Sequence, residues 1–206
     1  MEETFHFKTS EIFKGDFKPG ALNLMLVFQV NCPGCFVYAL PVANQIVEAY
    51  ASKGIKVLAL STAFEDFEYN TSGNTRLLLE KGTLVGETKK ALNKGGYEKL
   101  PFKLNFDVAF DEIKKYQVKD MDREVDQFCQ NVPGIDEKNS IEKRLIRLQT
   151  KEYLSHKHMT AFTFDMNRLM GTPSWILFDR EGKVFFKMFG HKELEWFAGK
   201  IDVLIN

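Results

Sequence analysis

The chain has 206 residues, of which 44% are apolar and 27% are charged, and its 28 basic residues offset its 28 acidic residues to a net charge of 28 − 28 = 0. This composition is that of an ordinary globular protein and excludes low-complexity disorder and collagen-like repeats. At roughly 150 residues per domain, the length corresponds to about 1.4 domains, which favours a single domain over residues 1–206 with one large insertion.

The first predicted element is a buried strand, because residues 22–30 form a nearly continuous apolar run. The motif Asn31-Cys32-Pro33-Gly34-Cys35 follows, and apolar residues then recur at helical spacing. Pro41 is expected to kink or break this helix. Gly54 ends it, and residues 55–60 predict a second buried strand. Strand, helix and strand at this spacing predict a parallel βαβ unit with a right-handed crossover.

The stretch from about residue 64 to residue 167 is predicted to be a large, mainly helical insertion. It contains two short helices at 77–81 and 87–93 and a strand-like alternation at 100–106. Two longer amphipathic helices are predicted at about 111–130 and 140–156, with a turn at Pro133-Gly134 that makes them a helical hairpin. Their predicted inward-facing residues are Ile113, Met121, Val125 and Phe128 in the first helix and Ile141, Leu145, Leu148 and Tyr153 in the second.

The C-terminal part predicts a β-hairpin followed by a helix. Residues 174–178 are a strand, 179–182 a turn, and 183–189 an antiparallel return strand that ends at Gly190. Residues 193–205 are an amphipathic helix, with Leu194, Phe197, Ile201 and Leu204 directed inward. The predicted fold class is therefore α/β, with one central mixed sheet assembled from both ends of the chain and flanked by helices.

Cys32 and Cys35 form a Cys-x-x-Cys pair at the junction of a predicted strand and helix, a pattern typical of dithiol redox chemistry. The helix dipole stabilises a thiolate at this position. We therefore expect Cys32 to attack a substrate disulfide and Cys35 to resolve the mixed disulfide. Pro33 suits the first helical position, and Gly34 lets the backbone pass close to an incoming sulfur. No cofactor is needed, because the electrons reside on the two thiols.

The motif Asn31-Cys32-Pro33-Gly34-Cys35 after a buried strand resembles the active site of the thioredoxin superfamily, and Gly171-Thr172-Pro173-Ser174 resembles its cis-proline loop. The turn Asp179-Arg180-Glu181-Gly182-Lys183 is similar to that of TlpA-type and AhpC/TSA-type members. The resemblance covers roughly residues 21–62 and 170–206. It implies a thioredoxin-like fold and a thiol–disulfide oxidoreductase. By the same resemblance, Cys32 is the nucleophile, Cys35 the resolving thiol and Pro173 the cis-proline, with Thr172 before it facing the substrate peptide.

The sequence departs from the family pattern at three positions. Leu26 stands where thioredoxins have a buried acid, and Tyr38 stands where ResA-type reductases have a glutamate. Asn31 replaces the tryptophan that commonly precedes the first cysteine. The usual proton acceptor for Cys35 is therefore missing or supplied from elsewhere.

Other functions remain possible at this point. A zinc site would need four ligands, and the sequence has no second Cys-x-x-Cys to supply them, so no metal is expected. A peroxiredoxin-like thiol peroxidase is an alternative, although Gln29 stands where peroxiredoxins have a threonine. A thioredoxin-fold binding or chaperone module is a third, because the helical hairpin could contact proteins or cover the dithiol. Cys129, on that hairpin, is either a small buried hydrophobe or a third redox thiol.

The expected partners are protein disulfides and a thiol reductant system of the thioredoxin reductase or glutathione type. Nucleic acid is not expected, because no basic surplus or stripe is present. A membrane partner is not expected either, since the most apolar stretch, residues 21–30, is shorter than the roughly 20 residues of a spanning helix. The acidic beginning of the chain lacks the features of a secretory signal, which predicts a cytoplasmic protein. The loop at residues 61–67 could shape the substrate surface or be fixed by packing of its two phenylalanines.

Overall fold

The computed structural model describes residues 3–115, 121–132, 134–157 and 159–205. Its centre is a six-stranded mixed sheet with the order β1-β4-β3-β2-β7-β8, and β5 and β6 form a separate two-stranded sheet. The strands are β1 (Thr9–Lys14), β2 (Leu22–Phe28), β3 (Ile55–Ser61), β4 (Asp107–Asp111), β5 (Ile113–Lys115), β6 (Met159–Ala161), β7 (Ser174–Asp179) and β8 (Val184–Phe189). β2, β3 and β4 run parallel, whereas β1, β7 and β8 are antiparallel to their neighbours.

Helices cover both faces of the sheet. They are α1 (Leu40–Tyr50), α2 (Ser72–Lys81), α3 (Gly86–Lys94), α4 (Met121–Gln130), α5 (Ser140–Ser155), α6 (Phe162–Met166) and α7 (Leu194–Ile205). A π-helical turn, Cys35–Ala39, leads into α1, and a 3-10 turn, Ala51–Lys53, follows it. Within the residues that the structure describes, no helix combines the length and apolar composition needed to cross a membrane.

The core lies in two layers, one on each face of the sheet. Because side chains alternate along a strand, Leu24, Leu26 and Phe28 of β2 pack with Cys35, α1 and α7 on one face. Met25 and Val27 pack on the other face, with the α6 residue Phe164. β2 is central and covered on both sides, which explains why its sequence is a continuous apolar run. The predicted βαβ unit and the C-terminal β-hairpin are both present.

The predicted helix at 111–130 is wrong over its first part. Residues Asp107–Asp111 form β4, Ile113–Lys115 form β5, and the helix begins only at Met121. Val108 and Ala109 are fully buried within the sheet between β3 and β1, so tertiary pairing overrides the helical pattern here. Residues 116–120 lie outside the described part of the chain.

The strand expected at residues 100–106 is not formed. This stretch is an irregular connection, in which Leu104 and Phe106 point into the core on the α1 side of the sheet. Their alternation reflects anchoring of a loop rather than pairing of a strand. The strand comes directly after it, as β4, so the stretch from 64 to 167 contributes one strand to the central sheet as well as the helices.

The inward stripe predicted for the second long helix is also wrong. Ile141, Leu145 and Leu148 of α5 are exposed by 71%, 53% and 55%, and Tyr153 is half exposed. Leu154 is the fully buried residue of α5, packed against Met121 and Val125 of α4 in a small separate core. The apolar residues of α5 thus fall on two faces. One face is exposed to solvent, and the other packs against α4 at Leu154. The stripe predicted for α4 is correct at Met121 and Val125.

Smaller differences concern the ends of the chain and the prolines. β1 was not predicted, because this edge strand alternates half-buried and exposed residues without an apolar run. In α7, Leu204 is 39% exposed rather than inward. Pro41 lies at the start of α1, where the chain changes from π-helical to α-helical geometry, and this agrees with the expected break. Pro133 of the predicted hairpin turn lies outside the described residues.

Candidate active site

Cys32 and Cys35 lie where the chain leaves the carboxyl end of β2 and enters the first helical turn. Cys35 is fully buried, and Cys32 is partly exposed. The backbone N–H of Cys35 donates a hydrogen bond to Cys32 Sγ over 3.3 Å and also approaches the Cys32 carbonyl oxygen at 3.0 Å. The reacting sulfur is therefore the accessible one, and the second thiol is sealed behind it.

The two thiols have opposite acidities. A hydrogen bond with the Cys35 side chain lowers the pKa of Cys32 to about 7, and contacts with Thr172 and the backbone of Cys35 and Gly34 add to this effect. Complete burial raises the pKa of Cys35 well above its ordinary value, and the nearby Cys32 sulfur raises it further. At neutral pH, Cys32 is therefore substantially ionised, while Cys35 remains a thiol that donates to it.

The loop before β7 closes the site from the other side of β2. Because β7 pairs antiparallel with β2, it brings Thr172 and Pro173 beside the dithiol, and the peptide bond between them is cis. The thiol of Cys32 lies 3.4 Å from the Thr172 carbonyl oxygen, to which it can donate. Gly171 lets the Phe189 ring pack closely against this loop, because a Cβ there would lie 2.6 Å from the ring and would require it to shift.

Pro33 and Gly34 lie between the cysteines in helical geometry. A Cβ at Gly34 would meet no atom within 4 Å, so packing within the chain does not require glycine here. The structure thus brings together the six residues that the sequence singled out: Cys32, Pro33, Gly34, Cys35, Thr172 and Pro173.

Sequence reasoning underestimated Asn31, the residue immediately before the dithiol. Its side-chain oxygen accepts a 2.6 Å hydrogen bond from the Glu87 backbone N–H at the start of α3, and its amide nitrogen donates to Asp66 over 2.8 Å. Its own backbone N–H donates to Asn70. A Cβ at Gly86 would collide with this side chain. Asn31 therefore links α3 and the loop after β3 to the residue that precedes the dithiol. The sequence showed only that Asn31 replaces the family's tryptophan, and this did not suggest a linking role.

The loop at residues 61–67 is held by packing, one of the two roles that the sequence left open, and its role at a substrate surface stays a prediction. Phe64 stacks on Phe164 of α6 at 3.9 Å between ring centroids, so it holds the loop by packing. Asp66 reaches Asn31, and Phe67 remains 39% exposed. One phenylalanine therefore packs against α6, and the other is partly exposed to solvent.

Leu26 and Tyr38, which stand where related proteins have acidic residues, supply no carboxylate to the dithiol. Leu26 is fully buried in the apolar core. Tyr38 is half exposed and stacks on His191, with 4.3 Å between the ring centroids. The polar side chain buried near the dithiol is instead Gln29, which accepts a hydrogen bond from the Thr172 hydroxyl.

Cys129 lies apart from the dithiol. It is on α4, partly buried beside the small core of the helical hairpin, with its Sγ 3.9 Å from the Thr150 hydroxyl oxygen. Over the described ranges, histidine, cysteine and acidic side chains form no group of three or more that could hold a metal ion.

The helical hairpin contacts α6 rather than the cysteines. Tyr153 donates a hydrogen bond to Asp165 over 3.2 Å, Lys157 forms an ion pair with the same carboxylate, and Asn131 approaches the sulfur of Met166. α6 lies on the sheet face opposite to the one that buries Cys35. The idea that the hairpin covers the dithiol stays a prediction.

Several solved structures resemble this chain. A thioredoxin-like superfamily protein superposes with a TM-score of 0.59 at 18% identity, over 100% of this chain and 97% of that chain. A thiol-disulfide isomerase from Corynebacterium glutamicum superposes with a TM-score of 0.61 at 19% identity, with the same coverage. The chain has a thioredoxin-like fold.

A thioredoxin-like protein studied in its oxidized form is a more distant match, with a TM-score of 0.51 at 10% identity over 99% of this chain and 94% of that one. No protein-family model and no curated protein matches the sequence. The structural likeness confirms the fold that the cysteine motif and the Gly-Thr-Pro loop implied. At these identities the likeness concerns the fold, and the chemistry has to be argued from the residues of the site.

Proposed function

We propose that the protein is a thiol–disulfide oxidoreductase that reduces or exchanges protein disulfides through Cys32 and Cys35. The observation that carries the proposal is the asymmetry of the two thiols. Cys32 is accessible and has a pKa lowered to about 7, chiefly by its hydrogen bond with Cys35. Cys35 is buried, and its raised pKa keeps it protonated at neutral pH. This is the division of work that nucleophile and resolving thiol require.

The reaction proceeds in two exchanges. The Cys32 thiolate attacks one sulfur of the substrate disulfide, a Cys32–substrate mixed disulfide forms, and the other substrate sulfur leaves as a thiolate. Cys35 then attacks Cys32 and its proton passes to the departing substrate sulfur, so that the intramolecular disulfide forms and the second substrate sulfur leaves as a thiol. The two departing sulfurs carry away two electrons and become thiols. Cys32 and Cys35 are oxidised together.

We further propose that the loop at Thr172 and Pro173 presents the backbone against which the substrate peptide lies. Its support is the position of the Thr172 carbonyl oxygen, 3.4 Å from Cys32 Sγ. In the reducing direction, a thiol donor of the glutathione or thioredoxin reductase type would restore the dithiol. The reducing direction is the one expected for a cytoplasmic protein, which is the location that the sequence predicts. Cell fractionation with detection of the native protein would test that location.

Equilibration with reduced and oxidised glutathione, followed by acid quenching and mass spectrometry, tests the proposed chemistry. We expect one reversible disulfide between Cys32 and Cys35. A Cys129→Ser variant is the matched control and should titrate in the same way. No bond between the pair across the glutathione range would refute the proposal. A Cys35→Ser variant should trap substrates as mixed disulfides that dithiothreitol releases, and Cys32→Ser should trap none.

A further inference from the structure

Gln29 is a buried polar residue that the proposed chemistry does not yet use. It directly follows β2, three residues before Cys32, and is 1% exposed. Its amide nitrogen donates to the Glu65 carbonyl oxygen over 3.4 Å, and its amide oxygen accepts from the Thr172 hydroxyl over 3.1 Å. The first contact fixes which way the amide points, because only its nitrogen can donate to a carbonyl. The amide oxygen is thereby directed at Thr172.

Thr172 contacts both this amide and the dithiol, because its hydroxyl donates to Gln29 and its carbonyl oxygen lies 3.4 Å from Cys32 Sγ. For Cys32, the largest influence on its lowered pKa is the Cys35 side chain, and a hydrogen bond from the Thr172 side chain contributes in the same direction. For Cys35, burial dominates and raises the pKa, while the Thr172 side chain opposes that rise. The Thr172 side chain therefore influences the pKa of both thiols in the same direction.

A hydroxyl group has a single proton to donate. When the Thr172 hydroxyl donates to Gln29, only its lone pairs remain, and these can accept from a thiol but cannot stabilise a thiolate. When it turns to a thiolate, it gives up the bond to Gln29. Gln29 and the thiolate thus compete for the same proton.

We propose that Gln29 is a positioning residue, which sets the reactivity of the dithiol by holding the Thr172 hydroxyl proton away from the sulfur atoms until a thiolate forms. The inference rests on the proposed dithiol function and identifies Gln29 as the residue that sets the reactivity of the two thiols. The chain has apolar Leu26 and exposed Tyr38 at the positions of the family's acids, so an uncharged amide–hydroxyl pair is the polar element next to the sulfurs.

The test measures the pKa of Cys32 in the fully reduced protein from the pH dependence of iodoacetamide alkylation. Gln29→Met keeps the length of the side chain and removes the acceptor. The released hydroxyl can then donate to the thiolate without competition, so we expect the pKa of Cys32 to fall by about half to one unit. Gln29→Asn, which is too short to keep both contacts, should lower it in the same direction and serves if the methionine variant does not fold.

The hydroxyl dependence separates positioning from a merely structural role. Thr172→Val alone should raise the pKa of Cys32. In the Thr172→Val background, Gln29→Met should cause no further change, and in the Thr172→Ser background, which keeps the hydroxyl, it should again lower the pKa. An unchanged or raised pKa in Gln29→Met, or the same shift with and without the hydroxyl, would overturn the inference.

These titrations do not require the disulfide to form. If the glutathione experiment showed no bond between Cys32 and Cys35 while the Gln29 effect depended on the Thr172 hydroxyl, the proposed function would fail and the positioning role would stand. If the bond formed normally and the Gln29 effect was absent, the positioning role alone would fail.

Discussion

At the scale of single residues, the site works by giving two neighbouring cysteines different surroundings. Cys32 is partly exposed and receives the Cys35 backbone N–H, whereas Cys35 is enclosed by the core under α1. A charged sulfur is stabilised by such donors and penalised by burial. The single turn of chain that separates the two thiols is sufficient to separate their reactivities.

Removing the buried thiol should weaken the nucleophile. Because the Cys35 side chain is the largest contributor to the lowered pKa of Cys32, Cys35→Ala should raise that pKa from about 7 toward the ordinary value for cysteine. The alkylation rate of Cys32 at neutral pH should fall accordingly, while its rate at alkaline pH stays the same. Cys129→Ala is the control and should leave the profile unchanged. A Cys32 profile in Cys35→Ala identical to that of the unmodified chain would contradict this assignment.

Asp111, at the end of β4, should make stability depend on pH. Desolvation raises the pKa of this buried carboxyl to about 6, although the Thr62 hydroxyl and the backbone N–H groups of Thr163 and Phe164 stabilise its charged form. The folded pKa lies above the unfolded one, so the folded state binds the proton more tightly. The contribution of Asp111 to the free energy of unfolding should therefore be greatest below pH about 4 and fall as pH rises through about 6, by roughly 3 kcal/mol.

The measurement for this prediction is urea unfolding at several pH values. Asp111→Asn should flatten the fall in the free energy of unfolding between pH about 4 and 6. Glu98→Gln, which changes an exposed carboxylate, should leave that fall as it is. Equal slopes in the Asp111→Asn variant and the unmodified chain would show that this carboxyl does not titrate in that range.

At the scale of secondary structure elements, the clearest case is α5, whose apolar residues divide between solvent and a small core. Leu145 is 53% exposed, while Leu154 is fully buried against α4. The helix begins with a capping box, in which the side chains of Asn139 and Glu142 each accept a hydrogen bond from the backbone N–H of the other residue. Local capping and ion pairs to α4, such as Arg147 with Asp126, therefore support a helix that buries little apolar surface.

Substitution of two leucines of this helix should change the free energy of unfolding by very different amounts. Leu154→Ala should lower the free energy of unfolding by about 2–5 kcal/mol, because it leaves a cavity in the small core. Leu145→Gln should change it by less than about 0.5 kcal/mol, since its side chain is largely in solvent. Thermal or urea unfolding of both variants provides the comparison. A large loss with Leu145→Gln would mean that this face is covered in solution.

The sequence was sufficient for the elements that carry their own local signal. β2 is an unbroken apolar run, the Cys-Pro-Gly-Cys motif marks a strand-to-helix junction, and the Asp179–Gly182 turn marks the hairpin of β7 and β8. β1 was missed because its alternating segment contains no apolar run. β4 was missed because the strand-like alternation was placed just before it, at residues 100–106, and the predicted helix was begun at residue 111.

The site was predictable to the same degree. The residues of the two motifs were found, whereas Gln29 and Asn31 were noticed only as departures from a family pattern. Their roles depend on side chains brought near by the fold, Thr172 for Gln29 and Asp66 for Asn31. An amide has no characteristic spacing to its partner in sequence. Only the three-dimensional arrangement shows which carbonyl or hydroxyl it meets.

At the scale of the whole molecule, the small sheet of β5 and β6 is the base from which the helical hairpin extends. Lys115 faces Met159 in this antiparallel pair. The two strands are therefore placed as the arms of a β-hairpin, and the intervening residues leave and return at neighbouring positions. This geometry indicates that the helical hairpin is an addition to the thioredoxin-like fold rather than part of its sheet.

Replacement of residues 116–158 by Asn-Gly should therefore give a folded protein. A two-residue turn of this sequence suits antiparallel strands in this register. We expect cooperative unfolding and an unchanged pKa of Cys32, measured by urea titration and by alkylation. A control with the shorter replacement of residues 140–155 by Gly-Ser linkers should also fold. Loss of cooperative unfolding in the first variant would show that the central core needs the hairpin.

The order of the strands also determines when the candidate site can form during synthesis. Cys32 follows β2, whereas Thr172 precedes the neighbouring strand β7 and is made 140 residues later. A nascent chain that still lacks β7 and β8 exposes one edge of β2 and has no second wall beside its thiols. The two thiols can therefore emerge from the ribosome well before the loop that completes their surroundings, and the candidate site forms only after β7 has been made.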